Sequence, residues 1–151
     1  MTEIAHFINN ARVAGTSGRS QPVFNPATGE SDKTVALAST DEVNAAIASS
    51  KAAWPAWSKT PPLRRARILD RFKAILWERA NQLAEAISLE HGKTHDDAVG
   101  EVTRGLEVVE FVVGAPHLLK CEMSEEVGTG VDTNSIRLSI GVVAGISPFN
   151  F

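Results

Sequence analysis

Residues 142–146 (VVAGI) constrain the fold of this 151-residue chain more than any other segment. The run is apolar, partly β-branched and preceded by Gly141, a pattern that predicts a strand buried on both faces. Pro148 interrupts that pattern, so Phe149 and Asn150 are predicted to lie on the turn that leaves the strand. Open α/β sheets place their ligands at the carboxyl ends of such strands. The side-chain amide of Asn150 is therefore a candidate ligand-facing group.

The first forty residues predict short strands joined by turns. Residues 7–13 read as a strand, an Asn-Asn turn and a returning strand. Residues 25–30 (NPATGE) predict a β-turn in which Gly29 supplies a positive φ, and residues 34–38 predict a further strand.

Three helices are predicted next, followed by strands. The first helix is capped by Thr40 and ends near residues 54–55; the second runs from Thr60 to a stop at Gly92; the third ends before Gly114. Residues 122–134 predict a loop or irregular strand, and the alternating residues 135–140 predict a strand with one solvated face. The apolar stripes of the second and third helices are Leu69, Phe72, Leu76, Ala80, Leu83 and Ile87, and Val99, Val102, Leu106, Val109 and Val113.

Composition excludes several classes of function. A net charge of −3 and a pI near 5.8 give no support for nucleic-acid binding. No apolar run is long enough to span a membrane, and the first residues do not resemble a signal peptide, so a cytoplasmic protein without membrane contact is expected. One cysteine, Cys121, allows no internal disulfide. The four histidines show no ligand spacing, so no metal site is predicted.

Several segments together resemble the aldehyde dehydrogenase superfamily. Residues 141–151 (GVVAGISPFNF) match its G-V-V-x-x-I-x-P-[WF]-N-F segment, residues 7–13 and 25–30 are similar to its amino-terminal meander, and residues 90–93 (EHGK) match its E-x-G-K helix-end signature. The resemblance implies an α/β fold that is the truncated N-terminal part of an aldehyde dehydrogenase. It would contain a β meander, a helical lobe, an oligomerisation strand and the first strand of the nucleotide-binding sheet. Lys93 of the helix-end signature is expected to have a structural role, solvated or bonded to the terminal carbonyls.

By this resemblance residues 1–151 are an incomplete N-terminal portion of the NAD-binding domain. The oligomerisation sheet would begin near residues 124–140, and the catalytic domain would be absent. The family's nucleophilic cysteine lies beyond Phe151, so the chain alone is expected to be inactive. Residues 118–123 do not resemble the nucleophile segment, and Cys121 is therefore expected to be a buried or semi-exposed structural thiol.

The resemblance also implies roles for the last residues of the chain. Asn150 would be catalytic, its amide stabilising the oxyanion formed when a thiolate attacks an aldehyde. Ser147, through its backbone, and Phe149 would line the nicotinamide end of the cofactor site. The competing interpretations are that Asn150 caps backbone groups of a turn and that Phe149 packs in the core.

Residues 90–110 are specifically similar to the methylmalonate-semialdehyde dehydrogenase branch of the superfamily. There the position of Arg104 holds an arginine that binds the carboxylate of the substrate, and guanidinium suits a carboxylate because the two form paired hydrogen bonds. The alternative is that Arg104 pairs with Glu101 or Glu107 on its own helix, a contact worth a few tenths of a kcal/mol.

This branch implies NAD-dependent, CoA-acylating oxidation of malonate or methylmalonate semialdehyde to acetyl-CoA or propanoyl-CoA. The partners expected of the full-length protein are the aldehyde, NAD, CoA and further copies of the chain in a dimer or tetramer. Two alternatives stay open at this point. One is a relative that releases the free acid by hydrolysis, and the other is a non-catalytic helical interaction module.

Overall fold

The computed structural model describes residues 2–147, which divide into two compact units. The first unit comprises residues 2–23, Ser31–Lys59 and residues 138–147. The second comprises Phe24–Glu30 and Thr60–Arg137. The first contains short strands and one helix, whereas the second contains a helical lobe and a β-hairpin.

A small sheet and a hairpin precede the helix of the first unit. The strands are β1 (Thr2–Ile4), β2 (His6–Ile8), β3 (Ala11–Val13), β4 (Ser20–Phe24) and β5 (Ser31–Ala36). β1 runs parallel to β5, and the sheet order is β1-β5-β4. β2 and β3 pair antiparallel around Asn9 and Asn10, whose φ angles are 50° and 60°. Asparagine tolerates this left-handed conformation, and the predicted Asn-Asn hairpin is confirmed.

The helix of the first unit, α1 (Thr40–Lys59), is capped by Ser39. The Glu42 N–H donates to Ser39 Oγ at 3.2 Å, and the Ser39 N–H donates to Glu42 Oε2 at 2.7 Å. This reciprocal pair is a capping box. The predicted cap at Thr40 is therefore wrong by one residue, because the hydroxyl that reaches the free N–H belongs to Ser39.

The predicted end of this helix near residues 54–55 is also wrong, since α1 continues through Pro55 to Lys59. Proline removes one backbone hydrogen bond, but its fixed φ is compatible with a helix. Beyond it, Ser58 Oγ donates to the Pro55 carbonyl at 3.2 Å.

The helical lobe of the second unit has more elements than the sequence predicts. Its helices are α2 (Pro62–Glu78), α3 (Ala80–His91), α4 (His95–Val113) and α5 (Ala115–Leu118). The long second helix of the prediction is broken at Arg79, where φ is −104° and ψ is 12°. No glycine or proline lies there, and both α2 and α3 pack against α4. Tertiary packing, not a helix breaker, thus accounts for the division.

The core of the lobe consists largely of small side chains. Ala66 of α2, Ala84 of α3, and Ala98 and Leu106 of α4 are buried. Alanine at these positions lets helix backbones approach closely. Leu106 belongs to the predicted stripe of α4, and the other members of that stripe are partly buried.

The segment after the helices forms a hairpin followed by residues without strand structure. β6 (Met123–Gly128) and β7 (Val131–Asn134) pair antiparallel with a register irregularity between Ser124 and Gly128, as expected for an irregular strand. Residues 135–147 form no strand, so the strands predicted at residues 135–140 and 142–146 are wrong for this structure. A strand requires a neighbour for its backbone hydrogen bonds, and the described residues supply none for these two runs.

Candidate functional site

Arg104, the predicted substrate-binding residue, lies on the exposed side of α4. The buried residues Ala98 and Leu106 define the opposite, packed side of this helix. At Gly100, one turn before Arg104, a Cβ would meet no described residue within 4 Å beyond the helix's own backbone, so this part of the α4 surface is open.

The carboxylate of Glu101, one turn before Arg104, is bound by Lys93. Lys93 Nζ lies 2.6 Å from Glu101 Oε2, and the two side chains are only 13% and 31% exposed. Of the two carboxylates that the sequence offers as helical partners for Arg104, Glu101 is thus engaged by a lysine. The sequence predicts a structural Lys93 but not this partner.

Lys93 is held between two fixed helix ends. Gly92 closes α3 with a φ of 83°, as the predicted helix stop requires. A Cβ at Gly92 would lie 2.9 Å from Pro26 Cγ, so the turn of residues 25–30 packs directly against it. On the other side Thr94 caps α4, its hydroxyl accepting from the Asp97 N–H at 3.3 Å.

The residues predicted to bind the cofactor and the oxyanion lie at the other end of the chain. Ser147 belongs to the first unit and is exposed, outside any helix or strand. Phe149 and Asn150 lie outside the described residues. Arg104 belongs to the second unit. The structure therefore describes the surroundings of Arg104, the candidate carboxylate-binding residue. Of the candidate cofactor site it describes only Ser147.

Cys121 is exposed, so of the predicted alternatives, a buried or a semi-exposed thiol, the buried one is wrong. The segment that follows α5 is held by two hydrogen bonds between Glu122 and Ser135. The Glu122 N–H donates to Ser135 Oγ at 2.9 Å, and the Ser135 N–H donates to the Glu122 carbonyl at 2.9 Å.

A second cluster that the sequence does not predict surrounds Glu42 in the first unit. Its carboxylate accepts hydrogen bonds from the backbone N–H groups of Ser39 and Thr16, at 2.7 Å and 2.6 Å. These two donors, Ser39 first, lower the pKa of Glu42 from 4.5 to about 2. His6 Nε2 lies 3.9 Å from Glu42 Oε1, and both residues line a cleft of about 380 Å³. The S-x-x-E pattern of residues 39–42 is the signal that could have revealed the cap.

Among residues 2–147, no three His, Cys, Asp or Glu side chains lie close enough together to hold a metal ion. In the same part of the chain, no helix is both long enough and apolar enough to cross a membrane.

Comparison with known proteins identifies the class of protein. The profile of the aldehyde dehydrogenase family matches residues 13–151. The chain therefore belongs to the aldehyde dehydrogenase family, and the predicted family is confirmed.

The similar proteins include malonate- and methylmalonate-semialdehyde dehydrogenases. The chain is 48% identical over its whole length to the malonate-semialdehyde dehydrogenase of Pseudomonas aeruginosa and covers 30% of that protein. Among solved structures it is similar to a Sinorhizobium meliloti protein assigned as a methylmalonate-semialdehyde dehydrogenase and solved with NAD. That similarity has 56% identity and a TM-score of 0.96, covering 100% of this chain and 31% of the other. The Oceanimonas doudoroffii methylmalonate-semialdehyde dehydrogenase gives 51% identity and a TM-score of 0.94, covering 99% of this chain and 30% of the other.

The chain thus spans about 30% of the length of these relatives. It matches the N-terminal part of their α/β fold, which confirms the predicted fold class.

Proposed function

We propose that the full-length protein containing this chain oxidises malonate semialdehyde or methylmalonate semialdehyde with NAD and transfers the acyl group to CoA. The observation that carries the proposal is the 48% identity, over all 151 residues, to a malonate-semialdehyde dehydrogenase. The exposed Arg104 on the open side of α4 adds a chemical reason, because these substrates differ from simple aldehydes by a carboxylate.

In this proposal Arg104 binds and orients the substrate. Its guanidinium donates to the two carboxylate oxygens, which fixes the aldehyde end at a set distance from α4. An uncharged aldehyde gains nothing from this contact, so Arg104 supplies specificity for the semialdehyde.

Asn150 acts at the reacting carbonyl. Its side-chain N–H donates to the oxygen that becomes negative when the aldehyde is attacked by a cysteine supplied outside this chain.

We predict that Asn150→Ala in the full-length protein lowers kcat by about two to three orders of magnitude while changing the Kd for NAD little. Single-turnover kinetics and NAD titration measure the two quantities. Unchanged kcat with weakened NAD binding would make Asn150 a positioning residue for the cofactor.

The cofactor proposed is NAD, which accepts the hydride of the aldehyde when bound. Among the described residues only Ser147 belongs to the proposed nicotinamide end, and this residue is exposed. Phe149 is proposed to pack beside the same ring.

CoA is proposed as the acyl acceptor, with the substrate carboxylate lost as CO₂. One semialdehyde anion, one NAD⁺ and one CoA thiol then give one acyl-CoA, one CO₂ and one NADH. The test is to supply malonate semialdehyde and NAD to the full-length protein with and without CoA and to identify the product by mass spectrometry. Acetyl-CoA is expected, and turnover should require CoA. A free acid formed equally well without CoA would favour the hydrolytic alternative.

We further propose that the full-length protein is a cytoplasmic dimer or tetramer assembled through a sheet that begins near residues 124–140. The β6–β7 hairpin exposes the apolar residues Met123, Val127 and Val131, which suit burial against another copy. Sedimentation analysis of the full-length protein tests this assembly, and a monomer at micromolar concentration would refute it.

A further inference from the structure

Glu101 places a negative charge close to the proposed carboxylate site. Residues three apart on a helix are neighbours, so Glu101 and Arg104 share one region of the α4 surface. An uncompensated carboxylate there would weaken binding of an anionic substrate in two ways. It would repel the substrate, and it would compete for the guanidinium of Arg104.

We propose that Lys93 is a positioning residue that compensates the charge of Glu101 and so keeps the surface around Arg104 able to receive the carboxylate of the substrate. This inference rests on the proposed role of Arg104. Lys93 itself does not contact the substrate in this account.

The geometry of the pair shows a close, partly buried contact. At 2.6 Å the Nζ–Oε2 distance is short, and Lys93 is only 13% exposed. By contrast, Lys73 of α2 lies 3.3 Å from Asp70 and 3.6 Å from Glu110, whose side chains are 59% and 70% exposed. Partial burial strengthens a charge pair because solvent screens it less.

The backbone fixes Lys93 in place for this contact. Gly92 and Thr94, its two neighbours, are the caps of successive helices. Gly92 also packs closely against Pro26, since a Cβ at Gly92 would lie 2.9 Å from Pro26 Cγ. Asp97, the preceding acidic residue on the same side of α4, is also engaged, since Thr94 Oγ1 donates to its Oδ2 at 2.8 Å. The two acidic side chains that precede Arg104 on this side of α4 are thus both held by partners in the loop before the helix.

The expected effect follows from Coulomb's law. Near a protein surface, the interaction between two unit charges about 7 Å apart changes a binding constant roughly five- to fiftyfold. Salt reduces this effect. Removing the charge of Lys93 should therefore weaken binding of the anionic substrate by about tenfold.

The test uses the full-length protein and compares malonate semialdehyde with propanal. Lys93→Gln is expected to lower the ratio of the two kcat/KM values by about tenfold, mostly through KM for the semialdehyde, and less so at high salt. Lys73→Gln, which breaks a more exposed pair to the same helix, is the matched control and should leave the ratio unchanged.

The double variant Lys93→Gln/Glu101→Gln separates charge compensation from mere support of the fold. Charge compensation predicts that the double variant recovers most of the lost ratio, because the uncompensated carboxylate is gone. A double variant as impaired as Lys93→Gln would overturn the proposal, since it would mean that Lys93 supports the loop or touches the substrate. If Lys93→Gln does not fold, the test uses Glu101→Gln alone. A fall in the ratio of the kcat/KM values for malonate semialdehyde and propanal in Glu101→Gln would also overturn the proposal.

Arg104→Leu in the same assay distinguishes failure of this inference from failure of the proposed function. Equal losses on both aldehydes in Arg104→Leu would reject the carboxylate role itself. A selective loss in Arg104→Leu, with no change in Lys93→Gln, would reject only the role of Lys93.

Discussion

At the scale of single residues, the carboxylate of Glu42 links the start of α1 to the loop that contains Thr16. Its pKa is lowered to about 2 by the backbone N–H groups of Ser39 and Thr16. In the unfolded chain the carboxyl regains its ordinary pKa of 4.5, so the unfolded state binds more protons between these two values. The stabilisation is therefore complete above about pH 4.5 and is lost as the pH falls towards 2.

We predict that Glu42→Gln is less stable than the wild-type protein at pH 7. The difference in stability should shrink as the pH falls from about 4.5 towards 2. Thermal unfolding midpoints between pH 2 and pH 7 measure it. Asp41→Asn, which removes the neighbouring carboxylate but neither hydrogen bond, is the control. Parallel pH profiles for Glu42→Gln and the unchanged protein would contradict the prediction.

Residues in recognisable motifs could be predicted at this scale, whereas contacts between motifs could not. The sequence places Arg104 away from the packed stripe of α4, and the structure agrees. The pairing of Lys93 with Glu101 joins a loop residue to a helix residue eight positions later, and its existence depends on where α4 begins. No local pattern specifies that geometry.

At the scale of elements, Gly92 ends α3 for two separate reasons. Its φ of 83° is unfavourable for residues with a Cβ, and any Cβ would lie 2.9 Å from Pro26 Cγ. We predict that Gly92→Ala costs about 1–2 kcal/mol or more. Hydrogen exchange of the α3 and α4 amides measures the local loss of stability.

Gly100 provides the matched control for this substitution. It lies inside α4 with open space at the position of a Cβ. Gly100→Ala should therefore slow exchange, with a gain of about 0.5–1 kcal/mol. Faster exchange in Gly100→Ala would show that helix propensity does not determine local stability at this position. Unchanged exchange in Gly92→Ala would show that neither the positive φ nor the contact with Pro26 limits the choice of residue there.

Several turns and helix ends were predictable because their signals are local, although the start of α1 was wrong because the local S-x-x-E pattern of residues 39–42 was missed. Tertiary interactions explain the errors at Arg79 and in residues 135–146. The stop at Gly92 and the Asn9-Asn10 turn follow from residue chemistry alone. The break at Arg79 has no local signal and reflects packing on α4. The strands predicted at residues 135–140 and 142–146 have suitable patterns, but a pattern cannot supply the neighbouring strand that completes the hydrogen bonds.

At the scale of the whole molecule, residues 135–147, which pair with no strand of the described part of the chain, leave much apolar surface in water. Among these side chains Leu138, Ile140 and Ile146 are 83%, 89% and 101% exposed. Extended apolar segments with unpaired backbone groups are templates for association. We predict that the 151-residue chain by itself associates as its concentration rises, as light scattering would show. A stable monomer at high concentration would instead favour the independent helical interaction module.

We propose that this chain supplies the carboxylate-binding residue of a semialdehyde dehydrogenase. The direct measurement is the kcat/KM of the full-length protein and its Arg104→Leu variant on methylmalonate semialdehyde and on propanal. Loss of a charge-assisted bond to a desolvated carboxylate costs about 1.5–3 kcal/mol, or roughly ten- to a hundredfold. We predict a loss of that size for the semialdehyde and little change for propanal, with Arg71→Leu, at an exposed position of α2, affecting neither. Equal and small losses of kcat/KM on both substrates would contradict this proposal, because Arg104 would then only pair with acidic residues of its own helix.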